Sequence, residues 1–104
     1  MRIIRHYLTT DGKDPCSDFI DKIKDPIARI KVVLRINQLA KGNLGKHKYC
    51  RNGVWELKID QEPGYRIYYS LVRDEIILLL LAGTKKTQQV DIDIAIQYLT
   101  DYLR

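Results

Sequence analysis

Residues 53–69, GVWELKIDQEPGYRIYY, constrain the fold of this chain more than any other segment. In the first half, apolar and charged side chains alternate, which is typical of a β-strand with one buried face. Pro63-Gly64 interrupts the alternation, which then resumes from Tyr65 to Leu71. Two alternating runs joined by a short turn form a β-hairpin, so the segment predicts strands over residues 54–60 and 65–71.

The two faces of this predicted hairpin differ in chemistry. One face is apolar and aromatic, and we expect it to be buried: Trp55, Leu57, Ile59, Tyr65, Ile67, Tyr69 and Leu71. The other face is polar, and we expect it to be open to solvent: Glu56, Lys58, Asp60, Arg66, Tyr68 and Ser70. Opposite and diagonal side chains on one face of a hairpin lie within contact range, so the polar set predicts a shared patch.

Proline marks the helices that precede the hairpin. After a first strand predicted over residues 2–8, Asp14-Pro15 and Asp25-Pro26 each place an N-cap residue before a proline at the first helical position. The second helix is predicted to end before Gly42. Its predicted buried stripe is Ile27, Ile30, Val33 and Leu34, widened by Ile36 and Leu39.

Two further elements follow the hairpin. Residues 75–82 are apolar on both faces, which predicts a central strand. From about Gln88 to the end, apolar positions recur with helical spacing, with Thr87 as N-cap and Asp91 in the first turns. The predicted order is β-α-α-β-β-β-α in one domain, residues 1–104. It is an α+β fold with an antiparallel sheet packed on a helical hairpin, plus a C-terminal helix.

The composition is that of a globular domain with a basic surface. Of 104 residues, 45% are hydrophobic, and 18 basic against 13 acidic residues give a net charge of +5. This balance favours a polyanion or an acidic protein as partner. Cys16 and Cys50 follow no metal-ligand spacing and fit reduced thiols. The longest apolar run, residues 76–82, is far below the roughly 20 residues that span a bilayer, so we expect a cytoplasmic protein.

The polar patch contains cations that suit a phosphate ester. Arg66 and Lys58 lie on it, and Lys85 or Lys86 can reach it from the loop after the third strand of the meander. The planar fork of an arginine binds two phosphate oxygens at once. A lysine crowded by other cations has a lowered pKa and can take a proton from a ribose 2′-hydroxyl.

Five other residues are candidates for proton transfer or RNA contact. His47 is the candidate general acid or base, and Glu56 is a second one. Tyr68 is placed to stack on a base, and Lys48 and Arg51 to contact RNA phosphates.

Each of these assignments has a plainer alternative. Glu56 and Arg66 fit an exposed cross-strand ion pair, worth about 0.2–1 kcal/mol, with no site at all. Lys85-Lys86 fits a solvated loop, and His47 fits an exposed loop histidine. The residue pattern alone leaves these alternatives open.

Three blocks of the sequence resemble a known toxin superfamily. They are GVWELKID, PGYRIYY and LLLAGTKKTQ, the last followed two residues later by DI. In this order and spacing, within residues 53–95, they resemble the HigB-like addiction-module killer proteins of the RelE/ParE superfamily. The resemblance implies a RelE-like fold and a type II toxin, neutralised by an antitoxin that often carries a helix-turn-helix domain.

In the ribonuclease branch of that superfamily, the toxin enters the ribosomal A site and cuts mRNA by attack of a 2′-hydroxyl on the adjacent phosphate. The resemblance implies that Arg66 supports the scissile phosphate, aided by Lys58 and by Lys85 or Lys86. Glu56 is then a base or a partner that orients Arg66. A tyrosine that well-defined relatives carry soon after this loop is missing from residues 88–91.

We therefore predict a ribosome-dependent mRNA endoribonuclease that needs no metal or organic cofactor. Its expected partners are the ribosome, mRNA and an antitoxin, which we expect to dock on the last helix at Tyr98, Leu99, Tyr102 and Leu103. Two alternatives stay open: a ParE-like poison of DNA gyrase, and a non-toxic basic module that binds RNA or protein.

Overall fold

Two proline-started helices follow the first strand in the computed structural model, which describes residues 1–104. The strand is β1 (Ile3–His6), and the helices are α1 (Pro15–Asp21) and α2 (Pro26–Ala40). Both predicted N-caps are confirmed. A carboxylate oxygen of Asp14 accepts a hydrogen bond from the N–H of Ser17, and one of Asp25 from that of Ile27, each at 3.0 Å.

The rest of the chain forms four more strands and a C-terminal helix. These are β2 (His47–Arg51), β3 (Val54–Ile59), β4 (Tyr65–Val72), β5 (Ile76–Thr84), a 3-10 turn (Lys85–Thr87) and α3 (Gln88–Tyr102). The sheet order is β1-β5-β4-β3-β2. The meander from β2 to β5 is antiparallel, but β1 pairs with β5 in parallel, so the prediction of an antiparallel sheet is wrong at this edge. Because β1 and β5 are far apart in the sequence, no hairpin turn forces them to run antiparallel.

Strand β2 lies at a sheet edge and was missed by the sequence prediction. Its one clear signal is Asn52-Gly53, a pair typical of two-residue hairpin turns, and both residues have positive φ (51° and 85°). The strand itself, HKYCR, is polar and irregular, with a register shift between Tyr49 and Arg51. Charged residues are common in edge strands, where they hinder pairing with another chain.

Apolar side chains pack on both faces of the sheet. The helices α1 and α2 cover one face, where Leu57, Ile67 and Tyr69 lie in the core as predicted, with Trp55 half-buried beside them. Helix α3 covers the other face and forms a second core there. The prediction that the polar face of the β3–β4 hairpin is open to solvent is therefore wrong. None of the helices combines the length and apolar character that crossing a membrane requires.

Helix α2 is rotated relative to the prediction. Its buried residues are Ala28, Val32, Ile36 and Leu39. The four residues predicted to lead the buried stripe are instead 44–62% exposed: Ile27, Ile30, Val33 and Leu34. Apolar residues occur on two opposite sides of the helix, and the side that contains Ala28 is the one that packs in the core.

The end of α3 is partly enclosed. Leu99 is buried in the second core, and Tyr98 stacks on Tyr7 with ring centroids 4.6 Å apart. Only Tyr102 and Leu103, of the four residues expected to receive a partner, are exposed.

Candidate functional site

Strands β3 and β4 place four of the predicted site residues on one face of the sheet. Glu56 pairs with Tyr68, and Lys58 pairs with Arg66, which lies in turn opposite Gly83 of β5. Directly paired residues point to the same side of a sheet. The alternating sequence pattern therefore identified the residues that share this face, although it misjudged their exposure.

Helix α3 covers this face and encloses most of its polar side chains. Glu56 and Tyr68 are fully buried, and Arg66 is only 8% exposed. The interpretation of Tyr68 as an open stacking surface is wrong for this structure, because the ring packs in the second core. Burial raises the pKa of Tyr68, and the nearby carboxylates of Glu56 and Asp91 raise it further.

A buried ion pair lies at the centre of the site. The Nε atom of Arg66 is 3.8 Å from Oε1 of Glu56, and Gln88 at the start of α3 donates a hydrogen bond to the same oxygen at 2.6 Å. The second carboxylate oxygen, the Nε of Arg66 and the hydroxyl of Tyr68 have no hydrogen-bond partner among the protein atoms. The plainer alternative of a solvent-exposed ion pair therefore does not describe this structure.

Asp91 belongs to the same region, and the sequence prediction gave it only a role at the helix start. Its carboxylate accepts a hydrogen bond from the Thr87 hydroxyl at 2.5 Å, and burial raises its pKa. The carboxylate occupies the space that the Cβ atom of any residue type other than glycine would need at position 83. Thr87 holds the predicted N-cap position, but its hydroxyl makes no cap hydrogen bond to the helix backbone.

A small cleft gives access to the end of Arg66. It has a volume of about 190 Å³ and is lined by residues 60–64 together with Arg66 and Lys85. The backbone N–H of Lys85 donates a hydrogen bond to the carbonyl of Gly64 at 2.8 Å, which fixes the 3-10 turn against the β3–β4 turn. The structure thus brings Arg66 and Lys85 together at this cleft, whereas Lys86 of the same turn does not line it.

Lys58 faces a larger and more basic cleft at the neighbouring edge. This cleft, of about 440 Å³, is lined by four cations, one carboxylate and four other residues: Lys31, Leu34, Arg35, Gln38, Gly45, Lys46, Lys58, Ile59 and Asp60. The Asp60 carboxylate pairs with Lys46 and lines both clefts, so the two adjoin. Together they carry six cations and two carboxylates, Asp60 and Glu62, so the joint surface at the edge of the sheet is cationic on balance.

The remaining predicted residues lie apart from Arg66. His47 pairs with Leu57 and therefore points to the opposite face of the sheet, where its ring lies 5.7 Å from that of Trp55. Lys48 and Arg51 line a separate cleft of about 210 Å³ beside the first turn of α3. The structure does not bring His47 into the site that the sequence predicted.

The two cysteines are poor candidates for nucleophiles. Cys16 is fully buried, and burial raises its pKa to about 12. Burial raises the pKa of Cys50 as well. The thiolate is the reactive form, so both residues are held in the unreactive state. No three His, Cys, Asp or Glu side chains lie close enough together to hold a metal ion.

Comparison with known families covers this whole region. Residues 18–99, from α1 almost to the end of α3, match the family described as phage-derived Gp49-like proteins (DUF891). The chain belongs to the Gp49-like family. This family is RelE/toxin-like, and the matched residues include the whole β3–β4 hairpin and the Lys85 turn.

A related protein can be aligned with most of this chain. The Gp49-like chain is 38% identical over 74 residues to an uncharacterized protein of Haemophilus influenzae. The alignment covers 71% of this chain and 75% of the relative.

Proposed function

We propose that this Gp49-like protein is a HigB-like toxin with a RelE-like fold, and that it cleaves mRNA on the ribosome. The observation that carries the proposal is that Arg66 and Lys85 line the same cleft. The buried carboxylate of Glu56 lies 3.8 Å from the Nε atom of the arginine. Two cations at a cleft match a phosphate, and a buried carboxylate holds the guanidinium in a fixed orientation. Neutralisation by an antitoxin is part of the proposal.

The chemistry needs only the substrate and fixed charges. The ribose 2′-oxygen attacks the adjacent phosphorus, and the bond from phosphorus to the next nucleotide's 5′-oxygen breaks. The products are a 2′,3′-cyclic phosphate and a 5′-hydroxyl, so the proton lost by the 2′-hydroxyl is balanced by one gained at the 5′-oxygen. Arg66 and Lys85 stabilise the negative charge that builds up on the phosphoryl oxygens.

We propose different roles for the other residues. Glu56 is enclosed and accepts a hydrogen bond from Gln88, so we assign it as a positioning residue for Arg66 rather than a base. Lys58 and the larger cleft offer contacts for neighbouring RNA phosphates. His47 has no part in the reaction, because it lies on the opposite face.

The test combines the purified protein with programmed bacterial ribosomes and maps the ends of the mRNA. We expect cuts from the wild type, and a loss of about 10²–10³ in rate for Lys85→Ala and for Arg66→Lys, which keeps the charge but not the fork. Lys86→Ala and Arg5→Ala remove one exposed cation each and serve as matched controls. Intact mRNA with folded wild-type protein would overturn the proposal, and trapped gyrase–DNA complexes would support the gyrase alternative.

A further inference from the structure

Helix α2 carries a second apolar stripe on the side that faces away from the sheet. Ile27, Ile30, Val33 and Leu34 lie within two turns of the helix and are 62%, 57%, 44% and 54% exposed. Single exposed apolar residues are normal on any protein surface. Four that adjoin on one helix form a continuous patch, and such patches mark sites of contact with another molecule.

The patch continues into an apolar groove. A groove of about 280 Å³ runs between α2, α1 and β1, and Val33 belongs to both the groove and the patch. Ile4, Ile20 and Ile36 are among the apolar residues that line it. A groove beside an apolar helix face is the geometry that receives an anchoring side chain from a docked helix.

The charged residues of α2 are all basic, and Asp21 of α1 is the acidic residue that lines the groove. Between Pro26 and Ala40 there are three basic residues, Arg29, Lys31 and Arg35, and no acidic one. Two copies of α2 packed face to face would bring six such cations together, which opposes self-association. A segment with acidic residues beside its apolar stripe would match both features of this surface.

We propose that the outward face of α2 binds an amphipathic, acid-flanked helical segment of another protein. The apolar stripe of that segment covers the four exposed residues, one of its side chains enters the groove, and its carboxylates lie beside Lys31 and the two arginines. The surface is on the opposite side of the sheet from Arg66, but it shares Lys31, Leu34 and Arg35 with the larger cleft. The docked segment therefore competes with the RNA phosphates proposed to bind there and leaves Arg66 itself uncovered.

The test uses designed helical peptides of about 18 residues, long enough to form a helix in water. One peptide has a leucine stripe flanked by glutamates, the second has the same stripe flanked by lysines, and the third has the glutamate composition with the stripe scrambled. Binding to the full chain is measured by fluorescence anisotropy. We expect the glutamate peptide to bind at least about tenfold more tightly than either control.

The variants replace apolar surface with hydroxyl groups without changing charge. Val33→Thr keeps the side-chain shape, and Ile30→Thr also shortens the side chain by one carbon. Ile30→Thr/Val33→Thr should weaken binding of the glutamate peptide about tenfold. Val90→Thr repeats the valine-to-threonine change at a residue of α3 that is 63% exposed, and it should leave binding unchanged. Equal affinity for the three peptides, or for the two variants, would overturn the proposal. A wild-type dimer that the double variant dissolves, seen by sedimentation, would also overturn it by assigning this face to a second copy.

Discussion

The guanidinium of Arg66 and the carboxylate of Glu56 lie together beneath α3, with Nε and Oε1 3.8 Å apart and the carboxylate fully buried. Removal of the cation leaves a buried carboxylate with the Gln88 hydrogen bond but no opposite charge beside it. Arg66→Ala should therefore lower the free energy of unfolding by about 3 kcal/mol, the lower end of the range for broken buried pairs. Adding Glu56→Gln should restore part of that loss, because it removes the unpaired charge.

Denaturant unfolding of the two single variants and the double variant measures this coupling. Arg5→Ala, an exposed arginine of β1, should change stability by less than about 0.5 kcal/mol. If Arg66→Ala proves as stable as the wild type, the pair is not a structural element. Because the alanine variant is expected to be less stable, Arg66→Lys is the better variant for separating lost activity from lost folding.

Gly83 and Asp91 form a second relationship that a single substitution tests. A Cβ atom at position 83 would occupy the space of the Asp91 carboxylate and lie 3.1 Å from the Thr87 hydroxyl oxygen. Gly83→Ala should therefore displace Asp91 from its hydrogen bond and cost about 1–3 kcal/mol in unfolding free energy. In an Asp91→Ala background the same substitution should cost much less, since the space is then empty. Additive losses in thermal or denaturant unfolding would contradict this account.

The hairpin was predictable because its signal is local. Alternation with period two identifies which residues of β3 and β4 share a face, and the structure confirms that Lys58 and Arg66 share one. Exposure was not predictable, because it depends on where α3 lies, and a helix tens of residues away leaves no mark on the hairpin pattern. Asp91 was undervalued for the same reason: its contact with Gly83 exists only after α3 docks.

The rotation of α2 has a different physical cause. Its sequence contains two apolar stripes with helical spacing, and the spacing alone does not decide which of them is buried. The stripe that packs inward contains the small Ala28, whereas the outward stripe consists of larger aliphatic residues. Apolar content alone therefore did not identify the buried side.

Two adjacent valines test this rotation directly. Val32 is fully buried, whereas its neighbour Val33 is 44% exposed. Val32→Ala should lower the free energy of unfolding by about 2 kcal/mol, because it removes two methyl groups from a packed core. Val33→Ala makes the same chemical change at the surface and should alter stability by less than about 0.5 kcal/mol. Chemical denaturation of both variants measures the two losses in unfolding free energy. A larger loss for Val33→Ala would support the helix orientation that the sequence predicted.

The hydroxyl of Tyr7 donates a 2.6 Å hydrogen bond to the carboxylate of Asp101, which ties the end of α3 to the segment after β1. This bond, together with burial, raises the pKa of Tyr7 from 10.0 to about 12. The folded state therefore holds this proton more tightly than the unfolded state does. The stabilisation is complete below pH 10 and is lost as pH rises through about 12.

Tyr7→Phe should therefore cost about 1.5–3 kcal/mol near neutral pH, the range for a hydrogen bond to a charged group. The difference in unfolding free energy between wild type and variant should shrink between pH 10 and 12, because the wild type loses this contribution there. Denaturant unfolding in buffers across that window measures the difference. Tyr102→Phe removes an exposed hydroxyl from the end of the same helix and is the matched control. A constant difference between wild type and Tyr7→Phe through pH 12 would show that the hydroxyl does not hold its proton through Asp101.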